Sequence, residues 1–376
     1  MNESTNAAQE GRFRRQLFIT VSTIALLTCL SGAGEVRADD DADHPALWIE
    51  LGGQLSRLDE GQEVFSPSFL ASRPSIFESS QKFERLPLYS VDESGAVTFQ
   101  PETSNWIFSA SIHYGRSISD KNVHQQTYPS TYHFPSIGAI EQPAAAKFAD
   151  TNVQIDESHL IADFRAGKDV GLGLFGGHGS SVLNFGVRFA QFDTKSNALL
   201  KSDPDWHFHH KYVQAKYKSF VDGQIYHSNS AQANATRSFQ GVGPVLSWNA
   251  STPFLGNPRS GELALDWGAN AAVLFGRQKV RVHHQTTLRY HGAKYVSPPR
   301  KTSYHGPYDH SRIRSVTAPD VGAVAGLSFR IENAKVSAGY RADFFFGAMD
   351  GGIDARKNEN VGVYGPFATI SVGLGG

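Results

Sequence analysis

From residue 47 onward, apolar and polar residues alternate with a period of two, over stretches of roughly ten to fourteen residues. This is the mark of β-strands with two unlike faces. Trp106, Phe108, Ala110, Ile112 and Tyr114 share one face, and Ser109, Ser111 and His113 share the other, with Ile107 the apolar exception. Leu160, Ala162, Phe164 and Ala166 oppose His159, Asp163 and Arg165. Leu183, Phe185, Val187 and Phe189 oppose Asn184, Gly186 and Arg188. Leu263, Leu265, Trp267, Ala269, Ala271 and Val273 oppose Glu262, Asp266 and Asn270. Val321, Ala323, Ala325, Leu327, Phe329 and Ile331 oppose Gly322, Ser328, Arg330 and Glu332. Val336, Ala338, Tyr340, Ala342, Phe344 and Phe346 oppose Lys335, Ser337, Arg341 and Asp343. No stretch of useful length reads as an amphipathic helix.

The pattern predicts strands at 47–57, 89–100, 105–115, 158–168, 182–193, 236–249, 261–276, 316–332, 335–347 and 361–374. These exceed the usual five or six residues of a strand in a soluble sheet and match the ~9–11 of a tilted membrane strand. Connections alternate in length. Those at 58–88, 116–157, 194–235, 277–315 and 348–360 are long, and those at 101–104, 169–181, 250–260 and 333–334 are shorter. Long outer loops and short periplasmic turns are the pattern of an outer-membrane barrel. The expected fold is therefore all-β, an antiparallel up-and-down transmembrane β-barrel of about ten strands, both termini periplasmic. The segments 211–227 and 279–291 also look extended, either as strand extensions above the membrane or as a further hairpin making twelve. Trp48, Trp106 and Trp248 fall at strand ends on the short-turn side, where aromatic girdles occur.

The N-terminus is read separately. Arg12, Arg14 and Arg15 precede an apolar run from Leu17 to Leu30, and Val36-Arg37-Ala38 offers a small-residue cleavage site before Asp39. Basic, apolar and small segments in that order form a secretory signal peptide, and the run is too short for the ~20 residues of a membrane helix. Residues 1–38 are thus expected to be removed after Ala38, leaving 39–376 as a single barrel domain in the cell outer membrane. Removal takes four basic and three acidic residues, leaving 31 and 33, a formal charge of −2. That balance offers no electrostatic footprint for nucleic acid. Cys29, the only cysteine, lies in the apolar run, so the mature chain has neither disulfides nor cysteine-ligated metals. The expected partners are outer-membrane lipids, lipopolysaccharide and the barrel-assembly machinery.

The stretches Gly241-Val242-Gly243-Pro244-Val245-Leu246-Ser247-Trp248 and Gly339-Tyr340-Arg341-Ala342-Asp343-Phe344-Phe345-Phe346, with the close from Tyr364 to Gly376, carry a resemblance. They resemble an uncharacterised family of alphaproteobacterial outer-membrane β-barrels and, more distantly, the pore-forming Legionella major outer membrane protein family. The resemblance is clearest over about 180–376. It implies a barrel, suggests a pore and supplies no site residues. Many outer-membrane barrels end in an aromatic residue, whereas this chain ends Leu374-Gly375-Gly376.

Candidate chemistry is sparse. Gly171, Gly173 and Gly176 spell the dinucleotide-binding spacing, but a strand and not a helix is predicted next, so a turn is the better reading. Histidines cluster at His207, His209 and His210 and again at His283, His284, His291, His305 and His310, all in predicted outer loops with no acidic partner at a metal-site spacing. Asp309-His310 is the only adjacent acid–imidazole pair in an upper loop, and it does not make an active site, so no enzyme, cofactor or metal is expected. The best functional hint is the charged polar face. Asp163, Arg165, Arg188, Glu262, Asp266, Arg330, Glu332, Arg341 and Asp343 would point into the barrel lumen, where they either tune ion passage or form a salt-bridged plug. Ten strands enclose a bore little wider than one filled by its own side chains. The first expectation is a porin-like passive channel for small polar or ionic solutes. The alternative is a non-conducting structural or adhesive barrel working through its long surface loops.

Overall fold

In the computed structural model the described residues are 47–60, 88–101, 104, 106–127, 131–132, 142–143, 147–170, 179–204, 212–213, 220–221, 226–257, 260–291, 303–351 and 358–374. Ala38 and the signal segment lie outside them, as do Gly171, Gly173, Gly176, His207, His209 and His210. Ten long strands appear in chain order. They are β1 (Leu47–Glu60), β2 (Leu88–Phe99), β3 (Trp106–Thr127), β4 (Lys147–Asp169) and β5 (Ser180–Pro204). They continue with β6 (Tyr226–Asn257), β7 (Gly261–His291), β8 (Ser303–Ile331), β9 (Ala334–Asp350) and β10 (Asn358–Leu374). The described residues hold no helix.

The ten strands close into one barrel in which each is hydrogen-bonded to its neighbours in sequence and β1 meets β10. The nine ladders between consecutive strands are all antiparallel. The barrel spans 47–373 as one unit. Every predicted strand is present, and the twelve-strand alternative is not. Residues 279–291 are the upper part of β7, 226–227 begin β6, and Tyr212–Val213 pairs only with Phe220–Val221 in a separate two-stranded ladder.

Closure turns one face of every strand outward and the other into the bore. Outward Phe164 and Phe185 are 66% and 65% exposed, while inward Asp163 and Arg188 are 5% and 3% exposed. The outward apolar residues form a belt along the lower part of the wall, nearest the short turns. On β5 the belt runs through Leu183, Phe185, Val187 and Phe189, and Gln191, Asp193 and Lys195 follow above. On β7 it ends at Phe275, and Arg277, Lys279 and Arg281 follow, all exposed. On β3 it ends at Tyr114, and Arg116 then pairs with Asp156 of β4 at 2.8 Å. At ~3.4 Å per residue and a tilt near 40°, belts of this length stand roughly 15–30 Å tall, against ~25 Å for the apolar band of a transmembrane barrel.

Above the belt the wall continues, and here the structure goes beyond the predicted strands. β6, β7 and β8 are 32, 31 and 29 residues long, whereas β1, β2, β9 and β10 are 14, 12, 17 and 17. The wall is therefore high from β3 to β8 and low across the remaining arc. Much of what reads as long loop at 116–157, 194–235 and 277–315 is paired strand, because the backbone groups there still find ladder partners after the apolar face has ended.

The aromatic expectation holds in part. Trp106 is outward and exposed at the foot of β3. Trp248 packs edge-on against Trp267 at 4.6 Å between ring centroids and donates to Ser181. Trp48 is a correction. It shares parity with buried Gln54 and Ser56, not with exposed Leu51 and Leu55, so it points into the bore.

The belt generates a depth-dependent prediction. Phe185→Arg, in the belt, should lower folding stability in lipid vesicles by about 2–4 kcal/mol, whereas Gln191→Arg, just above it, should cost at most ~1 kcal/mol. Equal costs in a denaturant titration would mean that the belt does not face lipid.

Candidate functional site

The bore is filled in layers. At the short-turn end the guanidinium of Arg330 lies 5.3 Å over the Trp48 ring, a cation–π contact across the lumen. Asp266 pairs with Lys335 at 2.6 Å and accepts from Ser251 at 2.6 Å. Glu262 is the ladder partner of Arg330. Glu332 does not line the lumen. The chain reverses at Glu332-Asn333, where Glu332 is exposed with φ 48°, so the predicted strand ends one residue too late.

Higher up, Arg188 organises a charged network. It forms a two-pronged pair with Asp163, from Nε to Oδ1 at 2.8 Å and from Nη2 to Oδ2 at 2.9 Å. Its Nη1 donates to Asn270 at 2.8 Å and to Asp320, and lies 3.8 Å from Asp343. Asn270 donates in turn to Asp343 at 3.3 Å. Arg165 lies 3.8 Å from Asp163 and donates to Ser247 and Ser111. Arg341 sits 5.6 Å over the Phe367 ring. Five of the predicted lumenal residues (Asp163, Arg165, Arg188, Arg341 and Asp343) thus occupy this level, with Asp320 and Asn270 completing the network.

Above the network most of the lumen is apolar. Phe192, Phe239, Leu274, Phe345, Met349 and Val361 are 0–1% exposed and belong to one cluster with Leu58, Ile161 and Ala318. Phe192 meets Phe345 edge-on at 4.7 Å and stacks with Phe239 at 6.1 Å. The cluster draws on eight of the ten strands. A second charged layer lies above it. Arg237 pairs with Glu359 at 3.1 Å, Arg312 with Asp350, and Arg314 with Asp350 at 3.4 Å.

The remaining strands, β2 and β3, bring polar groups to the height of the apolar layer. Asp92 of β2, His113 of β3 and His159 of β4 are 1%, 7% and 2% exposed. His159 is the ladder partner of Phe192, so the cluster and the apolar layer share a boundary. His113 Nε2 lies 2.9 Å and His159 Nε2 3.3 Å from Asp92 Oδ2. Ser56 and Ser90 donate their hydroxyls to the same carboxylate. Gly115 makes the convergence possible. It stands in register between Asp92 and His159, and a Cβ there would collide with both. Both serines reach the carboxylate and not an imidazole, so the cluster lacks the nucleophile–imidazole–carboxylate order of a hydrolytic triad.

The histidines of the upper wall form no comparable cluster among the described residues. His283 Nδ1 lies 2.9 Å from Asp309 across the β7–β8 ladder, at an exposed position. Asp309 therefore has a partner on the adjacent strand.

Removing the central cation would leave Asp163, Asp320 and Asp343 close together without it. Arg188→Met should cost about 3–5 kcal/mol of stability, read from the denaturant midpoint of the folded protein in micelles. Adding Asp163→Asn should recover part of the loss. A neutral single variant would show that the pairs do not support the fold.

No protein-family model matches the sequence. No curated protein matches it. Among solved structures the chain is similar to the translocator domain of the autotransporter NalP from Neisseria meningitidis, at 9% identity and TM-score 0.24 over 99% of this chain and 98% of that one. It is similar to the β domain of the Bordetella autotransporter Brka, at 10% identity and TM-score 0.25 over 88% and 100%. It is also similar to the Pseudomonas putida toluene transporter TodX, at 7% identity and TM-score 0.17 over 90% and 91%.

Proposed function

We propose that the protein is a non-conducting barrel of the bacterial outer membrane, with a sealed lumen and a wall that presents its tall β3–β8 arc outside the cell. One observation carries this reading: the layer of Phe192, Phe239, Leu274, Phe345 and Met349 has essentially no surface open to water. A passage for polar solutes needs wetted walls, and here the bore is a packed core. A passive channel, which the resemblance to a pore-forming family suggests, would require this layer to move. The charged residues above and below it act as structural ion pairs, and the protein is not an enzyme.

The height of the wall gives the function its place. At ~3.4 Å per residue and a tilt near 40°, β7 rises roughly 80 Å, far more than a ~25 Å membrane band requires. Among the described residues the outer face of this excess is polar, at Arg277, Lys279 and Arg281, and suited to contact with other surfaces. Arg277, Lys279 and Arg281 form an exposed basic row directly above Phe275, at the height where lipid phosphates would meet the wall. Lipopolysaccharide is the expected partner of that row.

Two measurements test the proposal. Folded protein in a planar bilayer should give no discrete conductance, and Phe239→Ala with Phe345→Ala should introduce it if folding survives. Regular conductance steps from the unaltered protein would sink the sealed-barrel reading. Replacing Arg277, Lys279 and Arg281 together by Gln should reduce the lipopolysaccharide that co-purifies with the protein. Unchanged lipopolysaccharide would remove that partner.

A further inference from the structure

The cluster at Asp92 is not explained by sealing the lumen. An apolar wall there would continue the layer that eight strands already build, with no buried charge. Instead β2, β3 and β4 deliver one carboxylate and two imidazoles to a single point, and Gly115 keeps the space between them free.

We propose that Asp92, His113 and His159 bind one transition-metal dication of the zinc class. One ligand atom from each residue lies within 4.8 Å of the others. The two Nε2 atoms are 2.9 and 3.3 Å from Asp92 Oδ2. In a tetrahedral site with bonds of ~2.0–2.1 Å, ligand atoms stand ~3.3 Å apart, so small movements would complete the shell. Imidazole and carboxylate donors suit zinc, cobalt and nickel, and the absence of thiolate is no obstacle.

A second observation points to a missing partner. His159 is buried, its Nδ1 has no hydrogen-bond partner, and its Nε2 meets only Asp92 Oδ2, at 3.3 Å and outside hydrogen-bond geometry. Buried polar groups without partners are costly and uncommon. A metal ion would take the Nε2 lone pair. Ser56 donates to Asp92 Oδ2 and Ser90 to Oδ1, as outer-shell groups orient metal-binding carboxylates. Gln54 of β1 is the ladder partner of Asp92, and its buried Oε1 also lacks a hydrogen bond, which makes it the natural source of a fourth donor. Two neutral imidazoles and one carboxylate carry a single negative charge, which a dication reverses to a single positive one. The bound ion would tie β2, β3 and β4 together, with β1 joined through Ser56.

The test uses the full chain without an affinity tag, folded in micelles, stripped by chelator and titrated with Co²⁺. One equivalent should bind with the visible d–d bands of a nitrogen–oxygen site, and Zn²⁺ should displace it. Zn²⁺ should also raise the thermal midpoint, since a ligand bound only by the folded state stabilises it. His159→Gln and Asp92→Asn, checked for folding by heat-modifiable gel mobility, should bind at least about tenfold more weakly. His283→Gln, altered at an exposed histidine, should bind as the parent does. Absence of stoichiometric binding, or full binding by both site variants, would overturn the proposal. Should those variants not fold, X-ray absorption on the unaltered cobalt protein decides, because a shell lacking either the carboxylate or the paired imidazoles refutes the site.

Discussion

Closure of the sheet is the constraint on which everything else depends. A ten-stranded ring leaves no unpaired edge at the height of the belt, so backbone polar groups are satisfied wherever the wall faces an apolar surrounding. The same closure sets the width of the bore to about that of two facing rows of side chains. Inward residues then find their partners on neighbouring strands or across the lumen, not in water. That is why Arg188 of β5 reaches Asp320 of β8, and why Arg330 of β8 lies over Trp48 of β1. Interior charges are tolerated because they are paired, and the apolar cluster occupies the level where the pairing is interrupted.

The fold was largely legible because the outward face carries an uninterrupted apolar signal. All ten strands follow from it, as does the inward orientation of Asp163, Arg188 and Asp343. The signal fades above the belt, where Gln191, Asp193 and Lys195 replace Phe185 and Val187 on the outer side of β5. Strand and loop then look alike in composition, and only the ladders distinguish them. Glu332 was misplaced for a related reason: alternation continues through a tight turn without a break in the sequence.

The site was legible in its parts and not in its assembly. His113 and His159 already fall on polar faces, but their meeting with Asp92 depends on the register of three strands separated by long connections. Asp92 belongs to the strand with the weakest alternation, and Gly115 contributes by what it lacks. Asp320 shares the parity of Ser328 and Arg330, so its inward direction was available. Its contact with Arg188, which lies 132 residues earlier, was not.

In the sealed barrel proposed above, the apolar layer would divide the interior into two separate electrolytes. In a bilayer, ions that reach Asp266 and Lys335 enter from one side, and those that reach Arg312 and Asp350 enter from the other. If the barrel is sealed as proposed, water does not connect the two groups. Salt added outside the cell would therefore screen the upper pairs and leave the Arg188 network untouched. A barrel sealed in this way would behave as an insulated feedthrough whose two ends report on different solutions.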